Sequence, residues 1–282
     1  MREDAASCLQ QLVSRKLEKS CLLRLLEALP AAVGSTPPPS HPTESLPFWR
    51  SIGALVADLI TVNAATLAED EAWLASAAWA AYLDLALGLL GHPSLRLASD
   101  LHLLWFAAFR MRKARSQVVV DSDGSVSGGG GIGASASPAV VPSALEQRLE
   151  PVLRAFWPKL VRPQGLEEGL LPAIYDEEFG DEEELTHFFG QFRGQVSGLL
   201  RAAAEALPGP CALAMRGVVV ELLDSVQGPQ ASAVINHLDP KGRCMGKTTA
   251  VQQLEAVSVD EIELFLSRSI RVPFCFFFSR HS

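Results

Sequence analysis

The sequence predicts an all-α fold of stacked antiparallel helix pairs, on three observations. Ala and Leu dominate the 282 residues and only two Tyr accompany thirteen Phe, a mix that favours helix over sheet. Apolar residues recur at i, i+3, i+4 and i+7 through much of the chain, the spacing of a buried helix face. Strand alternation is missing apart from a brief "VVV".

Residues 3 to 29 read as two short helices broken near Ser14 to Lys16, the second striped by Leu22, Leu25, Leu26 and Leu29. The stretch "PAAVGSTPPPSHPTESLP" then stops the helix and forms a loop or stiff linker. Residues 45 to 68 make the next helix, with Leu55, Leu59, Val62 and Thr66 on one face. Glu69 and Asp70 begin another, acids being favoured in a first turn, and it runs to Leu90. Its apolar stretch "WLASAAWAAYLDLALGLL" carries Asp84 and ends at "GHP". It therefore reads as a buried helix; a membrane span needs about 20 largely apolar residues. Gly91 suits the position after the outgoing helix, and Pro93 the first turn of the incoming one. Leu97, Leu101, Leu104, Trp105 and Ala108 form the buried stripe of that helix.

Residues 45 to 116 thus hold three long helices joined by very short turns, the pattern of bundles and α-solenoids. Degenerate HEAT- or ARM-like repeats fit it without an exact period. Residues 117–142, rich in Gly and Ser, read as a flexible insertion. Helical pattern resumes from Ser143, cut short by Pro158, Pro163 and Pro172. In the segment after Tyr175, Asp181 and Glu184 fit a capping box. Leu185, Phe188, Phe189, Phe192, Val196, Leu199 and Leu200 follow it at helical spacing. Another helix spans Cys211 to Val226, and one or two more run from Thr248 to about Ile270. The predicted organisation is repeats over 1–116, insertion over 117–142, repeats over 143–270 and an irregular tail over 271–282. The five tryptophans, Trp49, Trp73, Trp79, Trp105 and Trp157, read as core or pair-interface residues.

The net charge of −8 argues against a surface that binds nucleic acid as a whole, because phosphate neutralisation supplies most such affinity. Five scattered cysteines, none at CxxC spacing, suggest reduced thiols in the cytosol or nucleus. The opening "MREDAASCLQ" is unlike a signal peptide, with acids where a basic and then apolar stretch belongs.

The loop "GRCMGKTTA" at 242–250 resembles a phosphate-binding loop, but fails its spacing. Three residues separate Gly242 from Gly246 where four are needed to wrap a phosphate, and "NHLDPK" replaces the buried strand. A loop before a helix, with Thr248 or Thr249 as N-cap, is the plainer reading. The six histidines, His41, His92, His102, His187, His237 and His281, show no metal-ligand spacing. No G-x-S-x-G elbow surrounds any serine. No catalytic, cofactor or metal site is expected.

Two charged clusters stand out. Asp176, Glu177, Glu178, Asp181, Glu182, Glu183 and Glu184 place seven carboxylates in nine residues. They read either as a solvated turn with capping acids or as a contact for a basic protein partner. Arg110, Arg112, Lys113 and Arg115 close a helix whose C-terminus favours cations; the sharper alternative is contact with RNA phosphates.

The order of segments then becomes specific. The stretch "YLDLALGLLGHPSLRLASDLHLLWFAAFR" has a helix, a His-Pro-Ser turn and a helix bearing a Trp and ending in Arg: His92, Pro93, Ser94, Trp105 and Arg110. The stretch "YDEEFGDEEELTHFFGQFRGQVSGLLRAAAEALP" has an acidic turn, paired Phe and an Arg: Asp181, Glu182, Phe188, Phe189 and Arg193. In these the chain resembles the exportin-5 family, called HASTY in plants, of the importin-β-like karyopherins. Weaker likenesses are "AASCLQQLVSRKLEK" and "AVQQLEAVSVDEIELFLSRSI", so the resemblance runs collinearly over most of residues 3 to 270. It implies a HEAT-repeat solenoid from a shuttling transport receptor that binds Ran-GTP, double-stranded structured RNA such as microRNA precursors or tRNA, and nucleoporins, and catalyses nothing. It implies no membrane insertion. The Ran-gripping repeats of the family would precede Met1 and its large C-terminal part is absent, so a fragment is expected. The insertion and the ending "RVPFCFFFSRHS" depart from the family pattern.

Overall fold

A computed structural model of the chain describes residues 17–34, 46–122, 142–160 and 173–227, together with Val13. The 242–250 loop, the helical pattern of 248–270, the tail and residues 123–141 of the insertion lie outside the described residues. Among the described residues the fold is all-α, with no strand.

In chain order the helices are α1 (Lys19–Gly34), α2 (Leu46–Ala68), α3 (Glu71–Leu74), α4 (Ala77–Leu90), α5 (Leu95–Ser122), α6 (Ala144–Phe156), α7 (Ala173–Glu178), α8 (Glu182–Ala206) and α9 (Pro208–Gln227). A 3₁₀ turn, Trp157–Leu160, follows α6. The long helices lie in two rows. One row is α1, α4, α6 and α9; the other is α2, α5 and α8, each helix packing on the next in its row. Successive long helices alternate between rows, and one continuous apolar core fills the space between.

Local chemistry sets most boundaries. The expected single helix from Glu69 to Leu90 is two. Asp70 caps α3, accepting from Trp73 N at 2.9 Å, and Ser76 caps α4, accepting from Trp79 N at 3.2 Å. Each cap satisfies an amide that a helix start leaves open. The Trp73 amide and then the Lys19 ammonium, 2.9 Å away, hold the Asp70 carboxyl below its usual range. At its other end, α4 stops at Leu90 and Gly91 follows it as expected, with φ −64°.

Three further expectations are corrected. Pro30 lies inside α1 rather than ending it; the helix continues to Gly34 and buries Val33 beyond the proline. The helix expected to end at residue 116 runs through Ser122, because extending an established helix costs far less than starting one. Leu55 and Leu59 of the expected stripe are buried, but Val62 is 41% exposed and Thr66 half-buried; Ile52, Val56, Ile60 and Leu67 complete the buried face of α2. This helix is long and apolar enough by composition to cross a membrane, and half of that window is buried inside the protein.

The stripe Leu97, Leu101, Leu104, Trp105 and Ala108 is buried as expected, in the central helix of its row. Trp49, Trp73, Trp79 and Trp105 are buried, and Trp157 is half-buried. Where α5 crosses α2, a Cβ built on Gly53 would lie 2.0 Å from Leu97 Cδ1. Leu97 is fully buried and has little room to retreat. Gly53→Val is therefore expected to cost about 1–3 kcal/mol by overpacking, read from urea unfolding. A neutral result would mean that the two helices separate freely here.

Candidate functional site

The turn at His92–Ser94 and the acidic turn at 176–184 meet in space. Glu178 ends α7 and is 5% exposed. Its carboxylate accepts from Ser94 Oγ, across 84 residues of sequence, and from Leu95 N at 3.1 Å. Ser94 is also the N-cap of α5, its Oγ accepting from Leu97 N at 3.0 Å. Pro93 accordingly sits one residue before the cap, not in the first turn. The start of α5 is thus capped twice, by its own serine and by a glutamate from another turn.

Arg96 extends the junction. Its Nε donates to the Glu178 carbonyl at 2.9 Å and its Nη2 pairs with Glu184. The guanidinium lies 4.9 Å from the Phe179 ring centroid and 5.6 Å from that of Phe188, the geometry of a cation–π contact. Glu184 also accepts from Gly180 N at 2.8 Å, and its own amide donates to Asp181 at 2.7 Å. The expected capping box is present in a shifted form, the back-bond reaching Gly180 instead of the N-cap amide. Deeper along the helices, Ser99 Oγ donates to Gln195 at 2.8 Å. Nearby, Lys159 of the 3₁₀ turn donates to the His92 carbonyl, and His92 Nδ1 accepts from Ser94 N at 3.2 Å.

Burial sets the electrostatics here. It raises the Glu178 carboxyl, against the hydrogen bonds from Ser94 and Leu95 that favour its charged form. Burial also lowers the Lys159 ammonium to about 8, and the Tyr175 hydroxyl is pushed up by burial and then by Glu178. Asp100, one turn further along α5, is raised to about 6 by burial, with Arg50 pulling the other way and Asp58 and Glu178 adding to the rise.

For Asp100 the sign is clear. A carboxyl raised from 3.8 to about 6 in the folded state imposes no penalty below pH 3.8. Its cost grows as pH climbs through that window and is complete above about 6. Asp100→Asn is expected to stabilise the chain at pH 7 by about 1–2 kcal/mol and at pH 4 hardly at all. Unfolding midpoints across that range decide the matter; equal gains at both ends would remove Asp100 as the titrating group.

The acidic run therefore divides. Glu178, Asp181 and Glu184 hold the turn together, Glu178 alone being buried, whereas Asp176, Glu177, Glu182 and Glu183 are exposed and take no part in those bonds. The fully solvated reading is corrected at Glu178, which the fold buries to cap α5. Structural partners also engage the basic cluster. Arg110 is exposed and lies 5.5 Å over the Phe106 ring, while Lys113 pairs with Glu205 of α8 at 2.8 Å. Arg112 is half-buried, and Arg115 lies on α5 with its side chain outside the description. Arg110 and Lys113, three residues apart, share a side of the helix; Arg112 turns away from it.

Arg96 carries much of the junction yet does not stand out in the sequence. Its signal was a basic residue two positions after a Ser N-cap, in a chain that also carries a strongly acidic turn. His102 is buried, its ring nitrogen 3.3 Å from the Ser99 carbonyl, and burial lowers its pKa. Among the described residues no three His, Cys, Asp or Glu side chains gather as metal ligands. Burial raises the Cys211 thiol to about 12, which suits a packing residue rather than a nucleophile. A shallow groove of about 550 Å³ between α6 and α9 is lined by Leu149, Pro151, Leu213 and Ala214.

Comparison of the chain with protein-family models, with curated proteins and with solved structures gives no match.

Proposed function

We propose that this chain is a HEAT-repeat solenoid segment of an exportin-5/HASTY-like nuclear export receptor. The receptor binds Ran-GTP and duplex-stem RNA such as microRNA precursors, and shuttles between nucleus and cytoplasm past nucleoporins. It catalyses nothing and needs no cofactor. One observation carries the reading: the His-Pro-Ser turn and the acidic turn, on which the likeness rests, form a single junction through Glu178 and Arg96. Unrelated turns picked by chance have no reason to be packing partners. The alternation of helices between two rows, each helix stacked on the next in its row, supports a repeat architecture. Mechanistically, Ran-GTP and cargo each favour the same curvature of the solenoid, so each raises the affinity for the other.

Arg110 and Arg112, with Lys113 and Arg115, remain the candidate phosphate contacts, and Asp176, Glu177, Glu182 and Glu183 the candidate contacts for Ran or another basic partner. Net charge −8 and the pairing of Lys113 with Glu205 favour a second reading, a helical scaffold that binds proteins only. The deciding experiment recovers the endogenous polypeptide with GTP-locked Ran and sequences the RNA that accompanies it. Hairpin precursors enriched only with GTP-locked Ran, and released by salt, support the export reading. Protein partners without Ran-dependent RNA would replace it with the scaffold.

A further inference from the structure

We propose that the groove between α6 and α9 is a docking site for this chain's own tail: the phenylalanines of residues 271–282 fill it from within the same molecule. The proposal goes beyond the export reading and does not depend on it.

Leu213, on the rim of the groove, is 69% exposed, more than any other large apolar side chain among the described residues. Val220, two turns further along the same face of α9, is 45% exposed. Pro142, Pro151 and Pro210 stand around the opening, and Leu149 is buried beneath it. Proline has no amide hydrogen to offer, so these walls give apolar contact and few hydrogen bonds. Exposed apolar side chains beside a concave apolar wall mark a contact surface. The occupant that suits such a wall is aromatic, since an aromatic ring buries a large area without asking for donors.

The tail "RVPFCFFFSRHS" supplies that chemistry. Phe274, Phe276, Phe277 and Phe278 are four of the thirteen Phe, gathered in twelve residues whose pattern has no helical period to bury them in. Charge points the same way. The tail carries Arg271 and Arg280 and no acid, in a chain of net charge −8. The groove presents two carboxylates, Glu146 and Glu150, against one guanidinium, Arg154, which Glu150 already holds at 2.8 Å. Its surplus charge is therefore negative and complements the tail.

The tail also reaches. Ala214 lies thirteen residues before the end of α9, about 20 Å along the helix. Forty-three residues, 228–270, separate that end from the tail. As a flexible coil they would span about 35 Å. A helix over 248–270, as the sequence predicts, is itself about 35 Å long and leaves residues 228–247 to fold it back along α9. Tethering at this length gives an effective concentration of roughly millimolar order, so a weak contact suffices in cis where a separate chain would need far higher affinity.

Photochemical cross-linking of the full chain tests this, with p-benzoylphenylalanine in place of Phe277. Irradiation is expected to link residue 277 to peptides within 142–154 and 208–220 of the same molecule, at a yield independent of protein concentration. Leu213→Lys removes the exposed rim residue and repels the tail, and should cut that yield about tenfold. Its side chain is largely in water, so the fold does not rely on it. Leu103→Lys alters another exposed leucine, 46% exposed on α5 in the other row, and should leave the yield unchanged. Links scattered elsewhere over the surface, or equal losses in the two variants, would overturn the proposal. So would links that join two chains and grow with concentration, which would make a second copy the occupant.

Discussion

Trp105→Ala is expected to lower the stability of the chain by about 3–5 kcal/mol, the range for deleting a fully buried large side chain. Trp105 is 0% exposed and sits on α5, which packs on α2 at one side and α8 at the other. The cavity would open at the centre of its row, where neither neighbour can close in without losing contact with the other row. The buried indole N–H has no hydrogen-bond partner, so Trp105→Phe removes an unsatisfied donor along with some volume. It should therefore cost clearly less than alanine. Urea unfolding of the three chains measures both differences. A loss below about 1 kcal/mol for alanine would mean that α5 does not occupy the core.

Glu178→Ala is the second large effect, with an expected loss of about 2–3 kcal/mol at pH 7. Truncation leaves the Leu95 amide and the Ser94 hydroxyl buried without their acceptor, each a costly group to strand. The gain is bounded from the other side, since burial of the carboxylate already disfavours its charge. A double-mutant cycle with Ser94→Ala isolates the shared part, which should be about 1 kcal/mol or more. Additive losses would show that the two side chains do not depend on each other. Surface acids of the same run provide the contrast: Glu183→Ala should change stability by less than about 0.5 kcal/mol.

Much of the architecture was legible in the sequence for a simple reason. A helix that buries one face must repeat its apolar residues every three or four positions, and α5 and α8 do so with few exceptions. Their caps were partly legible too: Asp181 had to accept from an amide three residues on, and it does. Boundaries were harder. The break between α3 and α4 depends on Ser76 accepting from Trp79 N, although "LASAAW" is as good a helix sequence as its flanks. Val62 belonged to the predicted stripe, but only the direction from which α5 and α4 approach α2 decides which arc is covered.

The site divides along the same line. That residues 176–184 are strongly acidic and that α5 begins at a Pro-Ser turn follows from composition and local rules alone. Which acid is buried does not. Glu177 and Glu178 are chemically alike neighbours, yet one faces water and the other caps a helix 83 residues earlier in the chain. Their difference comes from placement of the α7–α8 turn against the start of α5, and that placement comes from packing of α8 along α5. By itself the sequence determined the all-helical character of the described residues, most of the faces its helices bury and the chemistry available at each turn, since these depend largely on residues near one another. Only the tertiary structure decided which turns meet, which charges lose their water and which Arg–Glu pair joins them, because burial and pairing belong to distances that the chain order does not encode.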